Sequence, residues 1–119
     1  MSSKEYRSKP LYIISSLVEN KPGVLFRITN LFRARSFNIE SITVGITEKP
    51  DLSRMTITTR IDEPILDQLV KQLRKLIDIV EVEVLDVNNT VYRELALIKI
   101  RAKDFTNRNQ INNFANVFR

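Results

Sequence analysis

The 119-residue chain contains no cysteine and no histidine. The first absence rules out disulfides and thiol nucleophiles, the second imidazole acid–base chemistry, and together they remove the usual zinc ligands. Catalysis would have to run on carboxylates, amines or hydroxyls alone, so a non-catalytic role is expected. Long apolar runs are also missing, and none approaches the roughly 20 residues that a membrane-spanning helix needs. The first nine residues, Met1 to Lys9, are polar and charged with no apolar signal-like core behind them. A disordered tail over residues 1–9 and a cytoplasmic location are therefore expected.

What is present fits a globular domain. The chain is 43% hydrophobic and 28% charged, a balance typical of folded rather than disordered sequences. A domain of this length buries roughly two-thirds of its unfolded-chain surface. The net charge of +5 arises from 19 basic and 14 acidic residues. Such a balance could attract nucleic acid or an acidic partner. The signs are interleaved, however, and the longest basic clusters are only Arg33-Ala34-Arg35 and Arg74-Lys75, which read as solvated surface.

Periodicity places the elements. Residues 11–18 are rich in β-formers and short, as a strand requires. Pro22 suits the first position of a helix, with Asn20 or Lys21 at its cap. Val24, Leu25, Ile28, Leu31 and Phe32 then share one helical face, ending near Arg35. From Ile42 the period becomes two, with Ile42, Val44 and Ile46 on one face. A turn at Lys49-Pro50-Asp51 leads to Met55, Ile57, Thr59 and Ile61 on one face, with Arg54, Thr56, Thr58 and Arg60 on the other. Asp62-Glu63-Pro64 opens a second helix whose buried stripe is Leu66, Leu69, Leu73, Leu76 and Ile77. A fourth strand turns Val80, Val82 and Val84 inward. The order β-α-β-β-α-β over residues 11–87 predicts an α+β, ferredoxin-like plait: an antiparallel sheet with helices on one face. Beyond it, residues 92–103 read as a further strand and Asn107–Arg119 as a helix carrying Ile111, Phe114, Ala115 and Phe118. The expected division is a domain over 10–88 and the beginning of a second, incomplete domain over 89–119.

One stretch points to chemistry. In Asn20-Lys21-Pro22-Gly23-Val24-Leu25 a strand turns on Pro-Gly into a helix, and a second strand opens with Asn38. A helix N-terminus has unpaired N–H groups and positive dipole character, so it attracts a carboxylate. Gly23 has no Cβ to block a ligand, and asparagine oxygens at 20 and 38 can accept from an ammonium. The pattern suits a receptor for a free amino acid, with the N–H groups of Gly23, Val24 and Leu25 holding the carboxylate. Ile39 would help enclose an aliphatic side chain. Each residue also has a purely structural explanation: Gly23 as a tight turn, Asn20 as a helix cap worth about 1 kcal/mol, Asn38 as a strand start. Other candidates are weaker. Ser15 and Ser16 lack a base and read as packed strand serines. Asp62 and Glu63 are helix-start residues, and Arg33 and Arg35 end a solvated helix, dock a partner or line the dimer.

The segments Leu17 to Leu25, Phe37-Asn38-Ile39-Glu40-Ser41-Ile42-Thr43-Val44 and Leu52-Ser53-Arg54-Met55-Thr56-Ile57 together resemble an ACT domain. More narrowly, they resemble the small regulatory subunits of acetolactate synthase (acetohydroxyacid synthase). The likeness continues through Gln72 to Asp78 and Arg93 to Ile100, and so covers nearly all of residues 10–119. It implies a non-catalytic chain that binds the catalytic large subunit, raises its activity and confers feedback inhibition by a branched-chain amino acid. Valine is the expected effector, with leucine or isoleucine as alternatives. The resemblance implies that Asn20, Gly23, Val24 and Leu25 of one subunit face Asn38 and Ile39 of its mate in a homodimer or higher oligomer. No cofactor is expected on this chain; thiamine diphosphate, magnesium and FAD would belong to the catalytic subunit. The departure lies at the C-terminal end, where such subunits carry a complete second domain.

Two other readings compete. An ACT-type sensor could serve another enzyme or regulator. A nucleic-acid-binding plait would place aromatics on exposed central strands to stack bases. Tyr12 is nearly alone there, so neither a nucleic acid nor a membrane is expected as partner.

Overall fold

The computed structural model describes residues 2–118. Its elements in chain order are α1 (Ser3–Ser8), β1 (Leu11–Glu19), α2 (Val24–Ala34), β2 (Ser41–Ile46), β3 (Leu52–Arg60), α3 (Glu63–Arg74), β4 (Ile79–Leu85) and α4 (Phe105–Val117), with a single 3-10 turn at Val87–Asn89. From β1 to β4 this is the expected β-α-β-β-α-β order. The strands lie in the order β2-β3-β1-β4, every neighbouring pair antiparallel. The plait is the α+β, ferredoxin-like architecture.

β1 and β3 are the two inner strands, β1 paired with β3 and β4, β3 with β1 and β2. Ile14 pairs with Ile57 on β3 and with Val84 on β4. The alternate β1 residues Ile14, Ser16 and Val18 face the helices and are almost fully buried. They meet Val24, Ile28 and Phe32 of α2 and Leu66, Leu69, Val70 and Leu73 of α3. Met55, Ile57 and Thr59 supply the β3 contribution, as their alternation predicts. The buried Thr59 hydroxyl is satisfied by donating to the Asn38 carbonyl oxygen. Ser16 likewise donates to the Met55 carbonyl at 3.4 Å. Pro64 lies in the first turn of α3, behind an N-cap at Asp62.

α2 ends in a Schellman motif. The Phe37 N–H reaches back to the Phe32 carbonyl at 2.9 Å and the Ser36 N–H to that of Arg33 at 3.2 Å. Ser36 occupies the left-handed position, φ 55°, where glycine is the usual choice.

Several expectations are corrected. α2 begins at Val24, two residues later than its proline suggested: Gly23 is the N-cap, in the left-handed region at φ 85°, and Pro22 precedes it. Neither Asn20 nor Lys21 caps the helix. Ile77 is 91% exposed because α3 ends at Arg74, before that stripe position is reached. Val44, Ile46 and Val84 lie on the expected face of their strands but remain exposed, since β2 and β4 are the two sheet edges, and Val80 is exposed because a shift in the β1–β4 register sets Ile79 instead opposite Val18. Residues 3–8, expected to be disordered, form a helix closed by a capping box between Ser2 and Glu5. Its C-terminal end is tied down by Arg60, which donates to the Lys9 carbonyl, and by the Lys9–Asp62 ion pair at 3.2 Å.

The largest correction concerns residues 92–103, which form no strand. A strand needs a neighbour to take its hydrogen bonds, and among the described residues this segment pairs with none. α4 starts at Phe105, two positions before the expected Asn107, because Asp104 caps it by accepting from the Asn107 N–H at 2.8 Å. Arg119, the expected last helical residue, lies outside the described residues. The radius of gyration is 18.1 Å, against about 13.5 Å for a compact chain of this length, because the chain beyond Glu94, including α4, stands largely off the plait. Among the described residues, no helix is long and apolar enough to cross a membrane.

Candidate effector site

The turn between β1 and α2 is built by a sequence of local constraints. The Asn20 N–H donates to the Asp51 carbonyl at 2.8 Å, and its side-chain Nδ2 donates to the Pro50 carbonyl at 3.0 Å. Asn20 is thus fastened to the β2–β3 turn through its donors, and its Oδ1 is left without a partner among the described residues. The chain then reverses through Gly23, whose positive φ disfavours any residue with a side chain. At the start of α2 the Val24 N–H is drawn into the turn, 3.4 Å from the Lys21 carbonyl. The N–H groups of Gly23 and Leu25 have no acceptor among the described residues. Two of the three expected carboxylate donors are therefore free and one is partly engaged.

A charged pair that sequence reasoning missed borders this turn. Arg27 Nε donates to Asp78 Oδ2 at 2.5 Å, and the Asp78 side chain is only 8% exposed. The Asp78 carbonyl also accepts from the Glu19 N–H at 2.8 Å, which joins the end of β1 to the entry of β4. The Arg27 Nη1 atom lies 3.1 Å from where a Cβ on Gly23 would stand. Beside it, Lys21 Nζ contacts Glu19 at 2.9 Å. That hydrogen bond and the Glu19 charge hold the Lys21 ammonium above the ordinary lysine range, with Asp78 adding to the effect and Arg27 opposing it. The only sequence signal for Arg27 was its position one helical turn after Gly23.

The side chains of the proposed receptor divide by burial. Val24 is 3% exposed and belongs to the core, so its contribution to a ligand would be its backbone. Leu25 is exposed, as is its neighbour Phe26. Asn38 is exposed and Ile39 half-buried against the core.

The six residues fall into two groups at opposite ends of the sheet. Asn38 and Ile39 lie at the end marked by Thr59, which pairs with Tyr12. From Tyr12 to Asn20 the strand runs about 26 Å at roughly 3.3 Å per residue. Asn20, Gly23, Val24 and Leu25 are together; Asn38 and Ile39 of the same chain are out of reach of them. Sequence distance gave no hint of this, because α2 carries the chain from one end to the other.

Comparison with known proteins agrees with the fold and the motifs. The family model described as an AHAS small subunit-like ACT domain matches residues 14–81. The acetolactate synthase small subunit of Mycolicibacterium smegmatis is 50% identical over 110 residues, covering 92% of this chain and 64% of the relative. The crystal structure of the acetolactate synthase small subunit from Thermotoga maritima superposes with a TM-score of 0.63 at 44% identity, over 67% of this chain and 50% of that one. The ACT domain from the GTP pyrophosphokinase of Chlorobium tepidum, at 21% identity and a TM-score of 0.58 over 73% of this chain and 99% of that one, shares the fold. The chain spans 64% of the length of the first curated relatives it matches. Its strand order, its Pro-Gly turn into α2 and the match over residues 14–81 lead to one assignment: the chain belongs to the AHAS small subunit-like ACT domain family.

Proposed function

We propose that this chain is a regulatory, non-catalytic component of an acetolactate synthase, sensing a branched-chain amino acid between two copies of itself. The observation that carries the reading is the separation of the two half-sites within one protomer. β2 is an edge strand whose Val44 and Ile46 are exposed, an arrangement that invites pairing. Antiparallel pairing of β2 with its copy about a twofold axis normal to the sheet keeps α2 and α3 of both copies on one face. The same operation sets the Asn38 end of one protomer beside the Asn20 end of the other. Each interface then holds two equivalent clefts.

In each cleft the free Gly23 and Leu25 N–H groups bind the effector carboxylate, helped by the α2 dipole. Asn20 Oδ1 and the mate's Asn38 accept from the ammonium, and Leu25 with the mate's Ile39 encloses the aliphatic side chain. Valine suits a cleft of this kind, and a ligand one methylene larger should differ by only about 1–3 kcal/mol. Binding acts by favouring one arrangement of the two protomers, and its differential affinity for those arrangements biases the catalytic large subunit. Thiamine diphosphate, magnesium and FAD belong to that subunit in this reading. Residues 10–88 serve as the sensing unit, residues 89–119 begin a second unit, and the location is cytoplasmic.

The test is isothermal titration of the chain with L-valine, L-leucine, L-isoleucine and D-valine. Saturable, L-specific binding near one site per chain is expected, and it should vanish in Gly23→Asp, whose side chain fills the cleft and repels the carboxylate. Full effector binding by that variant would remove the site assignment.

A further inference from the structure

A second concavity lies between the C-terminal turn of α2 and the outer side of α3, apart from the turn at Gly23. It encloses about 470 Å³, and four of its seven lining residues are cations: Arg35, Lys71, Arg74 and Lys75. No carboxylate lines it. Among the described residues none of these four cations takes part in an ion pair, although Asp67 precedes Lys71 by one helical turn. Phe37, half-buried, supplies an apolar floor and is held edge-on against Phe32 at 6.2 Å. The Schellman turn fixes Arg35 and Phe37 on one wall. The other wall is a stripe of α3, where Gln68, Lys71, Gln72 and Lys75 recur at three- and four-residue spacing. The opposite side of that helix is committed to the core through Leu66, Leu69 and Leu73.

Four unneutralised cations in one cleft repel each other, and an anionic occupant relieves that repulsion. The geometry of the stripe decides which anion. It extends about 10 Å along the helix, and alternate side chains of an extended peptide stand roughly 6.6 Å apart. Two or three carboxylates on such a segment can meet successive cations, with bidentate pairing at Arg35 or Arg74. The glutamine amides can serve the segment's backbone, and Phe37 an apolar residue between the acids. A single compact phosphate would reach one or two of the cations and leave the rest of the stripe unneutralised. We propose that the α2–α3 cleft docks an extended acidic segment of a partner protein, its carboxylates paired by Arg35, Lys71, Arg74 and Lys75. The proposal does not rest on the effector reading: none of its lining residues belongs to the Gly23 turn or is Asn38 or Ile39, although those two follow Phe37 directly.

The test uses the full chain and a fluorescein-labelled peptide of alternating glutamate and leucine, read by anisotropy and by amide chemical shifts. Saturable binding is expected, with shifts concentrated at residues 35–37 and 68–75. The double change Lys71→Glu with Arg74→Glu should weaken binding at least about tenfold, as truncating close charge pairs does. Lys99→Glu with Arg101→Glu alters net charge equally outside the cleft and should leave affinity within about twofold, the small response of an exposed charge. Arg35→Ala, on the opposite wall, provides a second variant should the α3 changes disturb folding, and it too should weaken binding. Equal loss in the inside and outside pairs, shifts spread over all basic residues, or no saturable binding in low salt would overturn the proposal. So would displacement of the peptide by inorganic pyrophosphate at a lower concentration than by unlabelled peptide, which would assign the cleft to phosphate.

Discussion

Two stretches of this chain have the same pattern of strand, turn and helix. Residues 11–34 and residues 92–117 both open with a run rich in β-forming, apolar side chains, pass through a turn, and continue into a helix with an apolar stripe. The first stretch becomes the centre of the molecule: β1 is flanked by β3 and β4, and Ile14 and Ile28 are completely buried. The second keeps its helix but not its strand, and Leu95, Leu97 and Ile98 are 91%, 94% and 77% exposed. A helix satisfies its backbone within itself, whereas a strand borrows from its neighbours. A β-prone run is thus an offer of pairing that a partner must accept. The contrast also separates two kinds of turn. The first is locked by a left-handed glycine and the Arg27–Asp78 pair, the second only by the Asp104 cap.

The strongest way to break this comparison is to remove one buried and one exposed residue of matched character. Ile14→Ala should lower unfolding free energy by about 2–5 kcal/mol, the usual range for emptying a core site. Leu97→Ala should stay within about 0.5 kcal/mol, as surface changes do. Comparable losses in denaturant melts would mean that residues 92–103 are packed after all. The lock on the first turn should be intermediate. Arg27→Ala strands the nearly buried Asp78 carboxylate, and leaving a buried acceptor unpaired costs about 1–3 kcal/mol. An unchanged melt would show that water replaces the arginine freely. A small effect of opposite sign is expected at the other end of α2. Ser36→Gly relieves a left-handed residue and should raise stability by roughly 0.5 kcal/mol, while a loss would mean that the serine makes a compensating contact.

The plait was legible in the sequence because its signals are local and agree with one another. The stripe of α3, the period-two runs of β3 and the proline behind Asp62 each specify an element without knowledge of the rest. The misreadings share a different cause. Pro22 was read as the first helical residue, yet the glycine after it takes the cap, since the positive φ at Gly23 depends on how the turn meets Arg27 and the β2–β3 loop. Val44 and Val84 have core-like patterns but lie on edge strands, and edge or centre is a property of topology. The strand expected at 92–103 failed for want of a partner. Of the candidate site, the residue types and the turn were readable. Their division between opposite ends of the sheet was not, nor was the buried Asp78 from another part of the chain.

That division has a genetic consequence. If each cleft draws its halves from two chains, a chain impaired at Asn20 and another impaired at Asn38 each form homodimers without an intact cleft. Mixed together, they form a dimer in which one cleft collects both lesions and the other collects none. Two unresponsive alleles would then restore part of the response when expressed in one cell, whereas two lesions confined to the same half could not rescue each other.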